Sequence, residues 1–249
     1  MIGYNENTLN AIKLTANDGR PSRRIVVDVT VTKNGKLVGE EGVIFKNTYS
    51  ERSLLLARVI ARGTRTQTID WTRVADADGY YIYFAKCNTL NPKRTYKLKK
   101  VKTIKGNSTF KWKNTRKLKR GVKYKYYVAA YKNVGGKAKI IKKSLSAHSM
   151  AETVYKNHTN VKSVKIKSKR ALTLKRGRTS TIKAKPYGYQ KGKYVFWKTH
   201  AAKLRYKSED TRIAKVNSKG RITAVKKGTV KVYVLGVNGV RSFVTVTVR

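Results

Sequence analysis

Along most of this chain, apolar and polar residues alternate one by one. Residues 161–169 read VKSVKIKSK, with Val164 and Ile166 set between Lys165 and Lys167. The last residues, VTVTVR, place Val244, Val246 and Val248 against Thr245 and Thr247. Tyr124, Tyr126 and Val128 share one face of another run, with Lys123 and Lys125 on the other. A period of two with one apolar face predicts half-buried antiparallel strands whose lysines point to water. Turn signals recur between these runs at Asn34-Gly35, Asp78-Gly79, Gly135-Gly136, Lys219-Gly220 and Asn238-Gly239. Short strands with frequent turns predict β-sandwiches rather than a parallel sheet. No stretch makes a convincing amphipathic helix of three turns. The run Ser53–Arg62 comes nearest, but it is short and leads directly into a strand pattern.

Composition narrows the class. At 249 residues the chain is long enough for two domains, and 40% hydrophobic content supplies real cores, which excludes full disorder. A single cysteine, Cys87, excludes a disulfide scaffold. No stretch approaches the roughly 20 apolar residues of a membrane-spanning helix. Lys and Arg number 59 against 12 Asp and Glu, a net charge of +47. The charge is uneven: residues 1–53 hold 8 basic and 6 acidic side chains, residues 54–153 hold 25 and 4, and residues 154–249 hold 26 and 2. The first domain boundary is therefore expected near residue 54. So positive a field attracts anionic polymers, among them nucleic acid, anionic lipid surfaces, teichoic-acid-like wall polymers and sulfated glycans. The ordinary reading of each lysine is a solvated outward strand position, which also discourages edge-to-edge aggregation.

In residues 54–153, Ile69-Asp70-Trp71 opens a strand. The turn and strand Ala75-Asp76-Ala77-Asp78-Gly79-Tyr80-Tyr81-Ile82-Tyr83 follow, and then Leu118, Tyr124 and Val128-Ala129-Ala130-Tyr131. These blocks, in this order, resemble a fibronectin type III domain of bacterial surface proteins. The resemblance implies that Trp71, Tyr80, Leu118 and Tyr124 are structural. Trp71 takes the early-strand core position, and Leu118 and Tyr124 take the tyrosine corner, where a Tyr hydroxyl bonds back to backbone. Asp76-x-Asp78-Gly79 mimics the opening of a calcium loop, but the later ligand positions hold Tyr80 and Cys87, so a turn is the expected reading.

Residues 160–249 carry Leu172-Thr173-Leu174-Lys175-Arg176-Gly177, then Ser208-Glu209-Asp210-Thr211-Arg212-Ile213-Ala214-Lys215-Val216, then Gly220-Arg221-Ile222-Thr223-Ala224-Val225-Lys226-Lys227-Gly228-Thr229. This ordered set resembles a group 2 bacterial immunoglobulin-like domain, a family also seen in intimin- and invasin-type adhesins. One departure is a long connection between Lys185 and Leu204, rich in aromatic residues and lysine. Its Tyr187, Tyr189, Lys191, Lys193, Tyr194, Trp197, Lys198 and His200 form the candidate ligand-binding loop, because aromatic faces stack on sugars or bases while lysines pair with phosphate or sulfate. The competing reading is that these aromatics cover one end of a sandwich.

Residues 1–53 offer an alternating run, Arg24–Thr32, and Asn34-Gly35 as a hairpin turn into Leu37–Phe45. The expectation is a short β segment, readable as an incomplete module, that packs on the middle domain or is the least ordered part. The fold expected overall is all-β: tandem immunoglobulin-like β-sandwiches at 54–153 and 160–249, with a short N-terminal β segment at 1–53. The linker Glu152–Asn160, with no Pro and little Gly, is expected to be moderately stiff.

Catalytic constellations are missing from the sequence. Ser144, Ser146 and His148 have no third partner. His148, His158 and His200 lack metal-ligand spacing. Cys87 reads as a small buried residue, and Glu209 and Asp210 are adjacent in a turn and diverge. No cofactor or metal is expected. The reading that follows is a noncatalytic extracellular or cell-surface module serving adhesion, spacing or attachment. Its partner would be a teichoic-acid-like or sulfated anionic polymer, or a protein. The alternatives are an intracellular nucleic-acid-binding protein and an accessory module severed from a secreted hydrolase. The opening residues show no signal-peptide pattern, and the chain ends with its last strand, so a fragment or truncated chain is expected.

Overall fold

In the computed structural model, side chains are described for residues 54–61, 66–87, 96–195 and 201–249, and backbone alone for 26–33 and 36–44. The chain divides into two compact units, Met1–Ser53 and Leu54–Arg249. In the first unit, β1 (Val26–Lys33) and β2 (Lys36–Ile44) pair antiparallel, with Lys33 opposite Lys36. Asn34 and Gly35, and the expected packing and order of this segment, lie outside the described residues. No helix occurs among the described residues. The sequence from 53 to 62 that came nearest to one contains strand β3 (Ala57–Ala61), because its apolar residues alternate in burial at period two.

The second unit begins with a sandwich. Three strands form one sheet in the order β3–β4–β7, with β4 (Gln67–Trp71) and β7 (Lys111–Asn114). The facing sheet holds β5 (Gly79–Lys86), β6 (Lys99–Lys105) and β8 (Lys123–Val134), with β9 (Lys137–Lys143) and β10 (Ala147–Met150) both on the far side of β8. Val59, Ile69 and Trp71 from the first sheet meet Tyr80, Ile82, Tyr126 and Val128 from the second in one apolar core. Within this core a polar network is fully paired. The Tyr126 hydroxyl donates to Gln67 Oε1 at 2.5 Å and accepts from Asn114 Nδ2 at 2.9 Å, and Gln67 Nε2 donates to the Met150 carbonyl at 2.6 Å. The network ties both sheets together, and burial pushes the Tyr126 phenol well above its usual range.

A second sandwich follows. Two short strands, β11 (Val154–Tyr155) and β12 (His158–Thr159), make a tight hairpin. Then β13 (Val161–Ile166) pairs with β16 (Ala184–Gly188). A four-stranded sheet runs β14–β21–β20–β17, made of β14 (Ala171–Leu174), β17 (Leu204–Ser208), β20 (Gly228–Gly236) and β21 (Arg241–Val248), with β14 parallel to β21. A three-stranded sheet runs β15 (Thr179–Thr181), β19 (Arg221–Ala224), β18 (Ala214–Val216). Valines at 161, 164, 230, 232, 234, 244, 246 and 248 fill the core, as β-branched residues suit the pleated surface.

One local reading of the sequence is corrected here. Lys125 lies opposite the core face of β8 but is not in water: it is 4% exposed, flanked on the sheet by Ala85 of β5 and His148 of β10, and burial lowers its pKa. Alternation reports which face a residue takes, and an interior strand with neighbours on both sides buries part of its outer face too. The Asn238-Gly239 turn forms where the sequence places it, between the strands 228–236 and 241–248, and it is buried. Asn238 is 1% exposed, and its carbonyl accepts the Val59 N–H of the first sandwich.

The segment 152–160 is an ordered link. The Glu152 carboxylate accepts the Gly121 N–H at 3.1 and 3.2 Å and pairs with Arg120. The Tyr155 ring lies against Gly121, where a Cβ would meet the ring, and Gly121 has φ +70°. Asn160 locks the exit: its Oδ1 accepts the Met150 N–H at 2.9 Å and its Nδ2 donates to the Glu152 carbonyl at 2.6 Å. Arg205 spans the junction from the other side. It donates to the Ser146 carbonyl at 2.5 Å and to the Gly236 and Val237 carbonyls at 3.0 and 3.1 Å. Burial lowers its pKa to about 10, which still leaves it charged at neutral pH.

Candidate ligand-binding surface

The aromatic connection after β16 is divided by the structure. Tyr187 sits on β16 opposite Ser163 of β13, and Lys165 lies directly opposite Lys185. Val164 and Pro186 are buried behind them, so Tyr187, Lys165 and Lys185 share the outward face. The Tyr187 ring is surrounded by lysine ammonium groups: Lys165 Nζ is 5.0 Å from its centre, Lys185 5.7 Å and Lys167 5.8 Å. Like charges directly opposite on a ladder repel. The negative face of the ring offsets part of this repulsion, and an anion bound between the lysines would offset more.

Tyr189 and Tyr194 turn toward the link between the sandwiches. Tyr189 is 38% exposed, its N–H donates to Thr159 Oγ1 at 3.0 Å, and Lys162 Nζ lies 6.0 Å from its ring. The ion pair of Arg58 with Asp70, at 2.6 Å, raises the Arg58 pKa, and the nearby Tyr189 phenol adds to the effect. The Tyr194 backbone is bonded on both sides to the link, with its N–H on the Asn157 carbonyl at 2.8 Å and its carbonyl on the Thr159 N–H at 2.9 Å. Its ring is 69% exposed and tilted against His158 at 6.0 Å. Burial, and then the Lys123 charge, lower the His158 pKa. Lys191 is exposed and Lys193 half-buried, around a turn at Gly192. Trp197, Lys198 and His200 lie outside the described residues.

The structure thus gathers Tyr187 with Lys165, Lys167 and Lys185, which the sequence reading did not include in the site. The alternation in VKSVKIKSK already placed Lys165 and Lys167 on one face. Only the register of β13 against β16 brings that face beside Tyr187.

The four residues singled out as structural lie in the first sandwich. Trp71 is 4% exposed, and its ring centre is 5.4 Å from that of Tyr80. The Tyr80 hydroxyl accepts the Val74 N–H at 3.0 Å and donates to Asn107 Oδ1 at 2.7 Å, and Asn107 Nδ2 in turn donates to the Val74 and Ala75 carbonyls. Leu118 is buried, and the Tyr124 hydroxyl accepts the Lys119 N–H at 2.9 Å.

Groups considered for chemistry have structural partners. Ser144 Oγ accepts the Val128 N–H, Asp78 Oδ2 accepts the Asn133 N–H, and Asp210 holds the guanidinium of Arg212. Cys87 is buried; burial raises its pKa to about 11, against the opposing charges of Lys125 and Lys123. Among the described residues, no three His, Cys, Asp or Glu side chains stand together as metal ligands, and no helix is long and apolar enough to cross a membrane.

Residues 160–248 match the family model of the bacterial Ig-like domain (group 2). Two solved structures are similar to the chain. One is the C-terminal 282-residue fragment of intimin in complex with the intimin-binding domain of the translocated intimin receptor: 16% identical, covering 78% of this chain and 63% of that one, with a TM-score of 0.24. The other is extracellular cadherin domains 1–4 of protocadherin gamma B7: 9% identical, covering 80% of this chain and 47% of that one, with a TM-score of 0.26. The chain spans less than two thirds of the length of either. No curated protein matches it.

Proposed function

We propose that residues 54–249 are a noncatalytic two-sandwich module of a bacterial surface or secreted protein, and that its second sandwich holds acidic glycan polymers at the Tyr187 patch. The Ig-like family match at 160–248 supports the surface role. For 54–153 we take the fibronectin type III reading. Its support is the division into β3–β4–β7 and a larger facing sheet, Trp71 in the core, and the Tyr124 hydroxyl bonded to the Lys119 N–H.

One observation carries the binding reading: a half-exposed tyrosine ring with three lysine ammonium groups within 6 Å, on a face with no carboxylate in its ladder. A sugar ring can lie on the aromatic face while its sulfate or phosphate esters meet the lysines. The test is affinity for a sulfated oligosaccharide and for a glycerol-phosphate oligomer, measured against salt. Tyr187→Ala with Lys165→Gln and Lys185→Gln is expected to weaken binding at least about 10-fold and to flatten the salt slope by about one per lysine removed. Unchanged affinity in a folded triple variant would overturn the assignment.

A further inference from the structure

At one end of the second sandwich lies an open cleft with about 560 Å³ of space, lined by Arg176, Thr211, Arg212, Lys215, Val225 and Lys226. None of these residues belongs to the Tyr187 patch. Arg176 comes from the turn between β14 and β15, Thr211 to Lys215 from the approach to β18 and its start, and Val225 and Lys226 from the exit of β19. Backbone hydrogen bonds fix the three pieces. The Gly177 N–H donates to the Ala224 carbonyl at 2.9 Å, and the Val225 N–H to the Ile213 carbonyl at 2.8 Å. Arg212 is held in place by Asp210, with Nε on Oδ1 and Nη2 on Oδ2, both at 3.1 Å. Asp210 itself is nearly buried and also caps the Arg212 N–H, so the guanidinium stands on a fixed base.

We propose that this cleft is an oxyanion site that takes a phosphate or sulfate ester group of an acidic glycan. Four cationic side chains and one hydroxyl donor converge on a space of ligand size, and Asp210 is the carboxylate that offsets one of those cations. Cations gathered along one cleft raise each other's energy, and an anionic ester group relieves this while accepting hydrogen bonds from Thr211 and the arginines. The lining contains no aromatic ring. Sequence-tolerant binding of single-stranded nucleic acid leans on base stacking, so the lining favours an ester group on a non-aromatic carrier. The choice of a glycan as carrier rests on the proposed function; the oxyanion itself rests on the cleft.

The experiment uses the full chain and inorganic pyrophosphate as probe, followed by backbone amide NMR. Saturable shifts are expected at Thr211 to Lys215 and at Val225 and Lys226. Lys215→Gln with Lys226→Gln is expected to weaken binding at least about 10-fold, while the charge-matched Lys102→Gln with Lys139→Gln, exposed lysines of the first sandwich, leaves it unchanged, and the location of the shifts separates this site from the Tyr187 patch. Because all of these lysines are exposed, the fold should persist in the variant; Arg176→Gln, also exposed, provides a second test of the same loss. Shifts that spread over the lysine-rich strands without saturating, or that survive the substitutions, would overturn the site. Competition against bound pyrophosphate then tests the carrier. Displacement by a glycerol-phosphate oligomer or by a sulfated oligosaccharide supports the proposal and identifies the ester. Stronger displacement by an oligonucleotide of equal charge would overturn the glycan assignment.

Discussion

The Val59 N–H donates to the Asn238 carbonyl at 2.8 Å, joining two residues 179 positions apart, one in each sandwich. Asn238 Nδ2 donates to the Val161 carbonyl at 2.9 Å, and the His148 N–H donates to the Val237 carbonyl at 2.8 Å. The turn between β20 and β21 is thus seated between β3 and β10. Together with Arg205 and Asn160 it makes the junction a set of directed bonds, not a tether.

Gly239 is the position least able to change. Its φ is +83°, and a Cβ there would collide with the Ala57 carbonyl oxygen across the junction. Gly239→Ala is expected to cost roughly 1–3 kcal/mol from backbone strain alone, and to open the junction to protease between residues 150 and 160. Asn238→Ala removes the donor to Val161 and is expected to cost about 1–3 kcal/mol, because the buried partner loses its bond. Limited proteolysis and denaturant unfolding check both. Wild-type resistance to protease in Gly239→Ala would show that the turn carries no weight.

In the first sandwich, Trp71→Ala is expected to cost roughly 3–5 kcal/mol, the range for truncating a buried large aromatic. Tyr124→Phe keeps the ring and loses only the bond from the Lys119 N–H, for about 1 kcal/mol. Thermal and urea unfolding should rank the two in that order. An unchanged midpoint for Trp71→Ala would contradict its place in the core.

Much of this architecture was legible in the chain. Period-two alternation and Gly-containing turns gave strands and sandwiches, and the ordered block from Ser208 to Thr229 pointed to the Ig-like domain. What the sequence could not carry was pairing between distant strands. Asn238-Gly239 reads as any hairpin turn, because nothing local shows that Val59 will meet it. Lys125 reads as solvated for the same reason, and Tyr187 acquires its lysines only through the β13–β16 register. The cationic cleft draws on three separate turns, each of which is unremarkable alone.

Cys87 provides a pH-dependent readout. Burial raises its pKa to about 11 from the ordinary thiol range, so the folded state holds the thiol proton more tightly than the unfolded chain does. The stability this contributes is complete below pH 9 and is lost as pH rises toward 11. Wild type should therefore lose more stability over that window than Cys87→Ala. At pH 8 the scarcer thiolate alone should slow alkylation of the native thiol about 100-fold relative to the unfolded chain. Equal rates in the two states would contradict its burial.

The bonds across the junction are expected to make the two sandwiches of residues 54–249 move as one body. The most direct measurement places spin labels at Lys102 and Lys207, one exposed position in each sandwich, in a Cys87→Ala background, and records the distribution of distances between them. A single narrow distance is expected in the parent, broadened by Gly239→Ala. A broad distribution in the parent, insensitive to that substitution, would contradict it.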